Sequence, residues 1–190
     1  MNFQDGLNLI DKANKMITEA NKMITEATYN AFLFTWNWWI ALGMLVIPWI
    51  LWGVFRKKDS SSRLLFAGFI VMILSSILDS YGVDRGKFAY PVKVIPLPTL
   101  SYSFRYSMVP VTIMFLLQYK PHLNPLIKAI LFAGFSAYIG MPLMAMIHLY
   151  KKVDWAYTYS FFILFSLFMI AHWFSRRKSF GEIAGDSPEQ

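Results

Sequence analysis

Residues 64–83 read LLFAGFIVMILSSILDSYGV, an apolar run with one charged side chain, Asp79. As a helix, twenty such residues cover the ~30 Å of a bilayer's hydrocarbon core. A carboxylate in that setting costs several kcal/mol unless protein, water or a cation meets it. Arg105, at the start of the next apolar segment, is the partner the sequence offers.

Four more apolar stretches lie on either side of this one, and the five occupy 31–55, 64–83, 99–119, 125–149 and 155–174. The chain has 190 residues, 56% hydrophobic and 15% charged. Its mean hydropathy is +0.43. A soluble domain carries a larger charged fraction. The expected fold is all-α: a polytopic membrane helical bundle of five transmembrane helices with an N-terminal amphipathic helix. Three parts follow: an arm over 1–30, the bundle over 31–175 and a polar tail over 176–190. No room is left for a separate soluble catalytic domain.

The arm contains NKMITEA at 14–20 and the same heptapeptide at 21–27. A seven-residue repeat holds one helix face constant. Leu9, Ile10, Ala13, Met16, Ile17, Ala20, Met23, Ile24 and Ala27 make an apolar stripe, and Asp11, Lys15, Glu19, Lys22 and Glu26 the opposite face. Three readings are open: packing on the membrane surface or the bundle, a coil with a second copy, or outward extension of the first span. Two heptads are too few for a sustained coiled coil. The mixed-charge start lacks the basic-then-apolar order of a signal peptide, so the first span is expected to stay in the mature protein.

Direction comes from charge. Arg56, Lys57, Lys58, Arg63, Lys120, Lys128, Arg176, Arg177 and Lys178 fall at one set of span ends, against Arg85, Lys87, Lys93, Lys151 and Lys152 at the other, together with the three lysines of the arm, which acidic neighbours offset. Positive-inside placement then puts the N-terminus outside and the C-terminus in the cytoplasm of a multi-pass cell-membrane protein. The net charge of +7 is explained by this and by anionic headgroups rather than by nucleic acid. Membrane lipids, a second copy or another membrane protein are the expected partners.

Chemistry-bearing residues are few. Asp79 and Arg105 are read as a ligand-binding or structural polar pair, either a pin between spans two and three or an anchor for a ligand, with headgroup contact as a third reading. The segment FAYPVKVIPLPTLSYSFRYS adds Phe88, Tyr90, Tyr102 and Tyr106 near the same end. With Asn37 and Tyr81 these could line a pocket, since irregular backbone at membrane depth needs protein or water around it; an interfacial aromatic belt is the alternative. Pro110 and the Gly140 to Pro142 step predict kinks. Absent cysteine excludes disulfides and thiolate chemistry. His122, His148 and His172 have no metal-ligand spacing, so no metal and no cofactor are expected. No P-loop, dinucleotide fingerprint or nucleophile elbow occurs. These features favour a non-enzymatic protein that binds a lipid-like or small ligand or serves as a membrane-complex subunit. A small transporter or channel is the alternative, and an isoprenoid or lipid enzyme the third.

The strings WNWWIALGMLVIPWILW, LDSYGVDRGKFAYP and YSMVPVTIMFLLQY resemble the CBO-type hypothetical membrane proteins of spore-forming Bacillus-type bacteria, over about 36–173. That resemblance implies host type and topology, not a mechanism. A weaker similarity is to membrane-embedded lycopene cyclases, which carry an Asp-containing helix before an aromatic loop. Those enzymes place two acidic residues after a proline, and Pro96, Pro98 and Pro110 lack such a pair here.

Overall fold

A computed structural model describes residues 1–96 and 101–177. Most of the expected tail therefore lies outside the described residues. The chain is mostly helical, and four helices are long and apolar enough to cross a membrane.

Helix α1, Phe3–Ala27, starts in a capping box: Asn2 accepts from the Asp5 amide and the Asp5 carboxylate accepts from the Asn2 amide. No residue of α1 is buried. A π-helical turn, Thr28–Phe32, and a left-handed Phe34 (φ 62°) separate it from α2, Trp36–Phe55. The first span thus starts at Trp36 rather than at 31, because the backbone breaks at Phe34 and Thr35 caps the new helix.

Helix α3, Lys58–Asp84, starts six residues before the apolar run. Hydropathy marks where a helix is greasy, and the polar first turns, residues 58–63, continue it beyond that run. Asp59 in the first turn suits the helix dipole. At the other end Gly86 adopts φ 63°, Gly86 N–H donates to Val83 O, and Lys87 N–H donates to Gly82 O. This Schellman turn throws the next residues back over the helix end.

The third apolar segment is helical over 102–118: a π-turn, Phe104–Met108, runs into α4, Val109–Gln118. Its described part falls short of the length of the four long helices, and 99–100 lie outside the described residues. Helices α5, Pro125–Phe135, and α6, Met141–Met146, are joined by a third π-turn, Ser136–Gly140, and α7 is Tyr157–Ser175. The last two π-turns stand just before a proline, Pro110 or Pro142. Proline lacks an amide hydrogen and crowds the preceding turn, and a widened turn relieves that crowding.

The bundle has two ends. End A joins the start of α2, the ends of α3 and α6, and the start of α7. End B joins the end of α2 with the start of α3, the end of α4 with the start of α5, and the end of α7. Among the described residues one small sheet occurs, at end A, where β1, Phe88–Ala89, pairs antiparallel with β2, Lys151–Lys152. Between the ends, Val71, Val111, Ile113, Met114 and Phe168 are almost fully buried. Helix α4 contributes three of these and is the innermost element. Gly68 lets α3 approach it, for a Cβ there would overlap the Met114 thioether.

Candidate functional site

The polar centre of the fold lies at end A. Asp79 sits on the last turns of α3, and the π-turn before α4 carries Arg105 to it. Arg105 Nε donates to Asp79 Oδ2 at 2.5 Å, and Tyr90 Oη donates to Asp79 Oδ1 at 2.6 Å. Arg105 Nη1 also donates to Ser80 Oγ at 3.1 Å and to the Ser76 carbonyl at 3.4 Å. The Arg105 side chain is 2% exposed and that of Asp79 14%.

A buried ion pair stabilises only when its remaining donors and acceptors are also met. Here both carboxylate oxygens accept from charged or phenolic donors, and among the described residues the guanidinium also reaches Ser80 Oγ and the Ser76 carbonyl. The arrangement links α3, the loop that follows it and the start of the α4 segment. Removing one partner would strand the other charge in a low-dielectric interior.

Above the pair lies an aromatic layer built by two loops. The Phe88 ring meets Tyr90, Tyr150 and Trp155, and Tyr90 also meets Phe104. The sheet pairing and the Lys87–Asp154 bridge at 2.5 Å hold these loops together. Gly82 makes the docking possible, because a Cβ there would overlap the Phe88 ring. Burial and then the Asp79 charge push the Tyr90 phenol well above its ordinary value, so it remains a donor. Burial, and next the positive Arg105, lower the Lys93 ammonium to about 8. Burial raises Tyr150 as well.

Of the residues marked from the sequence, Asp79, Arg105, Tyr90 and Phe88 come together. Asn37 does not join them: its Nδ2 donates to the Ile147 carbonyl at 2.7 Å and straps the α6–α7 loop to α2. Tyr81 is 62% exposed, with the Arg85 guanidinium 5.5 Å from its ring centre. Tyr102 and Tyr106 contact each other at 5.7 Å on the flank, and the Tyr106 carbonyl accepts from Trp49 Nε1. Ser80, Tyr150 and Trp155 belong to the centre and were not singled out by sequence. A serine beside Asp79 was the available signal for the first; for the others only their place in an outer loop.

Three buried hydroxyls near this network, Ser76 Oγ, Ser107 Oγ and Tyr150 Oη, have no hydrogen-bond partner among the described residues. Asp79 itself, with both oxygens engaged, is not set to take a proton from a substrate. Comparison of the chain with protein-family models, with curated proteins and with solved structures finds no match.

Proposed function

We propose that the chain is a non-enzymatic integral membrane protein with five crossings, binding a lipid-like or small ligand or serving as a subunit of a membrane complex. One observation carries this reading. The two polar ends are separated by a layer of buried apolar side chains, Val71, Val111, Met114 and Phe168, which offers no polar route for a transported solute. A transporter or channel needs such a route. An enzyme needs a free acid or base, and Asp79 is engaged at both oxygens.

In this proposal the short α4 segment is the third crossing. Its position inside the bundle supports this, because a helix wrapped in protein need not match the full hydrocarbon thickness. End B, with Arg56, Lys57, Lys58, Arg63, Lys120, Lys128, Arg176 and Arg177, faces the cytoplasm of a cell membrane, and the N-terminal arm is outside. Helix α1 lies along the outer surface by its apolar stripe. The resemblance read from the sequence supports a bacterial host.

Liposomes test the reading directly. Purified protein reconstituted in them should retain lipid adducts by native mass spectrometry while solute and ion leakage stays at the level of empty vesicles. Flux above that level, removed by Asp79→Asn, would establish the transporter instead.

A further inference from the structure

Five helix ends meet at end B, and between them opens a cavity of about 200 Å³. Lys57, Ser60, Arg63, Lys128, His172 and Arg176 line it. Among the described residues no Asp or Glu forms its wall. Asp59, in the first turn of α3, is the nearest carboxylate along the chain and is not part of the lining. Its floor is apolar, from Leu64, Leu117 and Phe168.

The cations divide by role. Lys128 Nζ donates to the carbonyls of Leu116, Tyr119 and Lys120, closing the end of α4, and Arg176 Nη2 donates to the Pro121 carbonyl at 2.8 Å. These two hold the α4–α5 loop and leave their charge at the cavity. Lys57 Nζ and the Arg63 guanidinium donate to no described residue, so their hydrogen-bonding capacity is open to a ligand. Gln118 sets the rim: it accepts from the Lys57 amide at 2.8 Å and donates to the Phe55 carbonyl at 2.9 Å.

A second, wider cleft of about 710 Å³ shares Lys57, Gln118 and Pro121 with the cavity. It passes between Phe55 on α2 and Phe115, Leu116 and Tyr119 at the end of α4. A cationic recess beside an apolar cleft, at the end of a transmembrane bundle, matches an anionic phosphate carried on an acyl chain. Arg and Lys bind phosphate oxygens by charge-assisted hydrogen bonds, and basic pockets between transmembrane helices accept such headgroups.

We propose that the end-B cavity binds the phosphate of an anionic phospholipid, with an acyl chain along the α2–α4 cleft. The inference rests on the membrane-binding reading above, deepens it by naming ligand and place, and uses no residue of the Asp79 cluster. Phosphate is the recognised group; the cleft selects the lipid as its source over free phosphate.

Full-length protein in detergent, offered phosphatidylglycerol, phosphatidylcholine or inorganic phosphate, tests this by native mass spectrometry and thermal shift. Phosphatidylglycerol should be retained and protective, phosphatidylcholine much less so, and inorganic phosphate should give little protection. Lys57→Gln with Arg63→Gln should weaken phosphatidylglycerol retention by about fivefold per cation, about twenty-five-fold together. Lys151→Gln with Lys152→Gln, at the other end, should leave it unchanged. Equal retention of the two lipids, or retention indifferent to the end-B pair, would overturn the proposal. Protection by inorganic phosphate equal to that by phosphatidylglycerol would overturn the lipid as source. Should the end-B variant fail to fold, wild-type protein decides: high salt must weaken phosphatidylglycerol retention, and indifference to salt refutes a charged site. Solute flux in liposomes would sink the binding reading of the bundle while leaving this headgroup site standing.

Discussion

Asp79 and Arg105 form a pair whose value lies in what each prevents the other from becoming, an unmatched charge in the protein interior. Asp79→Asn and Arg105→Gln should each lower thermal stability in detergent, and the double variant should lose less than the sum. The expected coupling is about 0.5–2 kcal/mol, because polar contacts in membranes are weaker than desolvation alone suggests. Additive losses would show that the contact stabilises nothing. Lys93 gives a second test at this scale. Its folded-state value of about 8 lies below the ordinary lysine value of 10.5. Between those limits the unfolded chain binds more protons, so this residue's contribution to stability rises with pH from about 8 to 10.5. Lys93→Met should flatten that rise in a melting series, and an unchanged slope would assign it to other groups. Asp79 was legible in the sequence because it is the single charge in a twenty-residue apolar run, and Arg105 because it stood nearest in the next segment. Tyr150 and Trp155 were not, since aromatic side chains at span ends are ordinary and only the loop pairing brings them over Tyr90. The end-B cations Lys57, Arg63, Lys128 and Arg176 were visible as topology signals, but they lie at separate span ends and become a cavity only when the bundle closes.

Elements follow the same logic of local rules overridden by packing. Pro110 and Pro142 announced irregular helices, but the π-turn before each of these two is a choice of hydrogen-bond register that no periodicity records. The β1–β2 pairing, two residues a side, is set by the turn at Gly86 and by Phe88 docking on Gly82. Gly82→Ala sets two effects against each other. A helical alanine gains up to ~1 kcal/mol over glycine, less so near a helix end, while overpacking costs about 1–3 kcal/mol. The ring contact should win: the variant should be less stable, with residues 85–96 more open to protease, and a stabilised variant would mean that Phe88 shifts without consequence. Helix α1 is the opposite case, an element whose repeat was plain and none of whose residues is buried. Met16, Ile17 and Met23 are more than half exposed, at 61%, 56% and 65%. Ile17→Asp with Ile24→Asp should free spin labels at positions 16 and 23 from the bilayer surface, because two charges on the stripe oppose its burial. Labels equally fast before and after would leave the arm as an extension that packs on nothing.

At the scale of the whole molecule, the crossing number rests on one element. The chain enters the bundle at end A and leaves it at end B: Asn37 is strapped to Ile147 at one end, and Arg176 to Pro121 at the other. That geometry requires the segment 102–118 to run from A to B, although hydropathy and length alone select four helices. The expected five crossings and the four long helices differ only over this segment, whose α4 part buries Pro110, Val111, Ile113, Met114 and Leu117. Cysteine labelling separates the two counts cleanly, since the chain has no native cysteine. Ser62 is the probe for end B in preference to Ser61, which is buried beside Arg56. With five crossings and end B in the cytoplasm, cysteines at Ser62 and His122 should resist an impermeant reagent in intact cells, while those at Asn14 and Lys151 should react. With four crossings, His122 moves to the side opposite Ser62 and the two must differ in reactivity. Equal protection at 62 and 122 with labelling at 14 fixes both count and direction, and labelling at 62 and 122 together would keep five crossings and reverse the orientation.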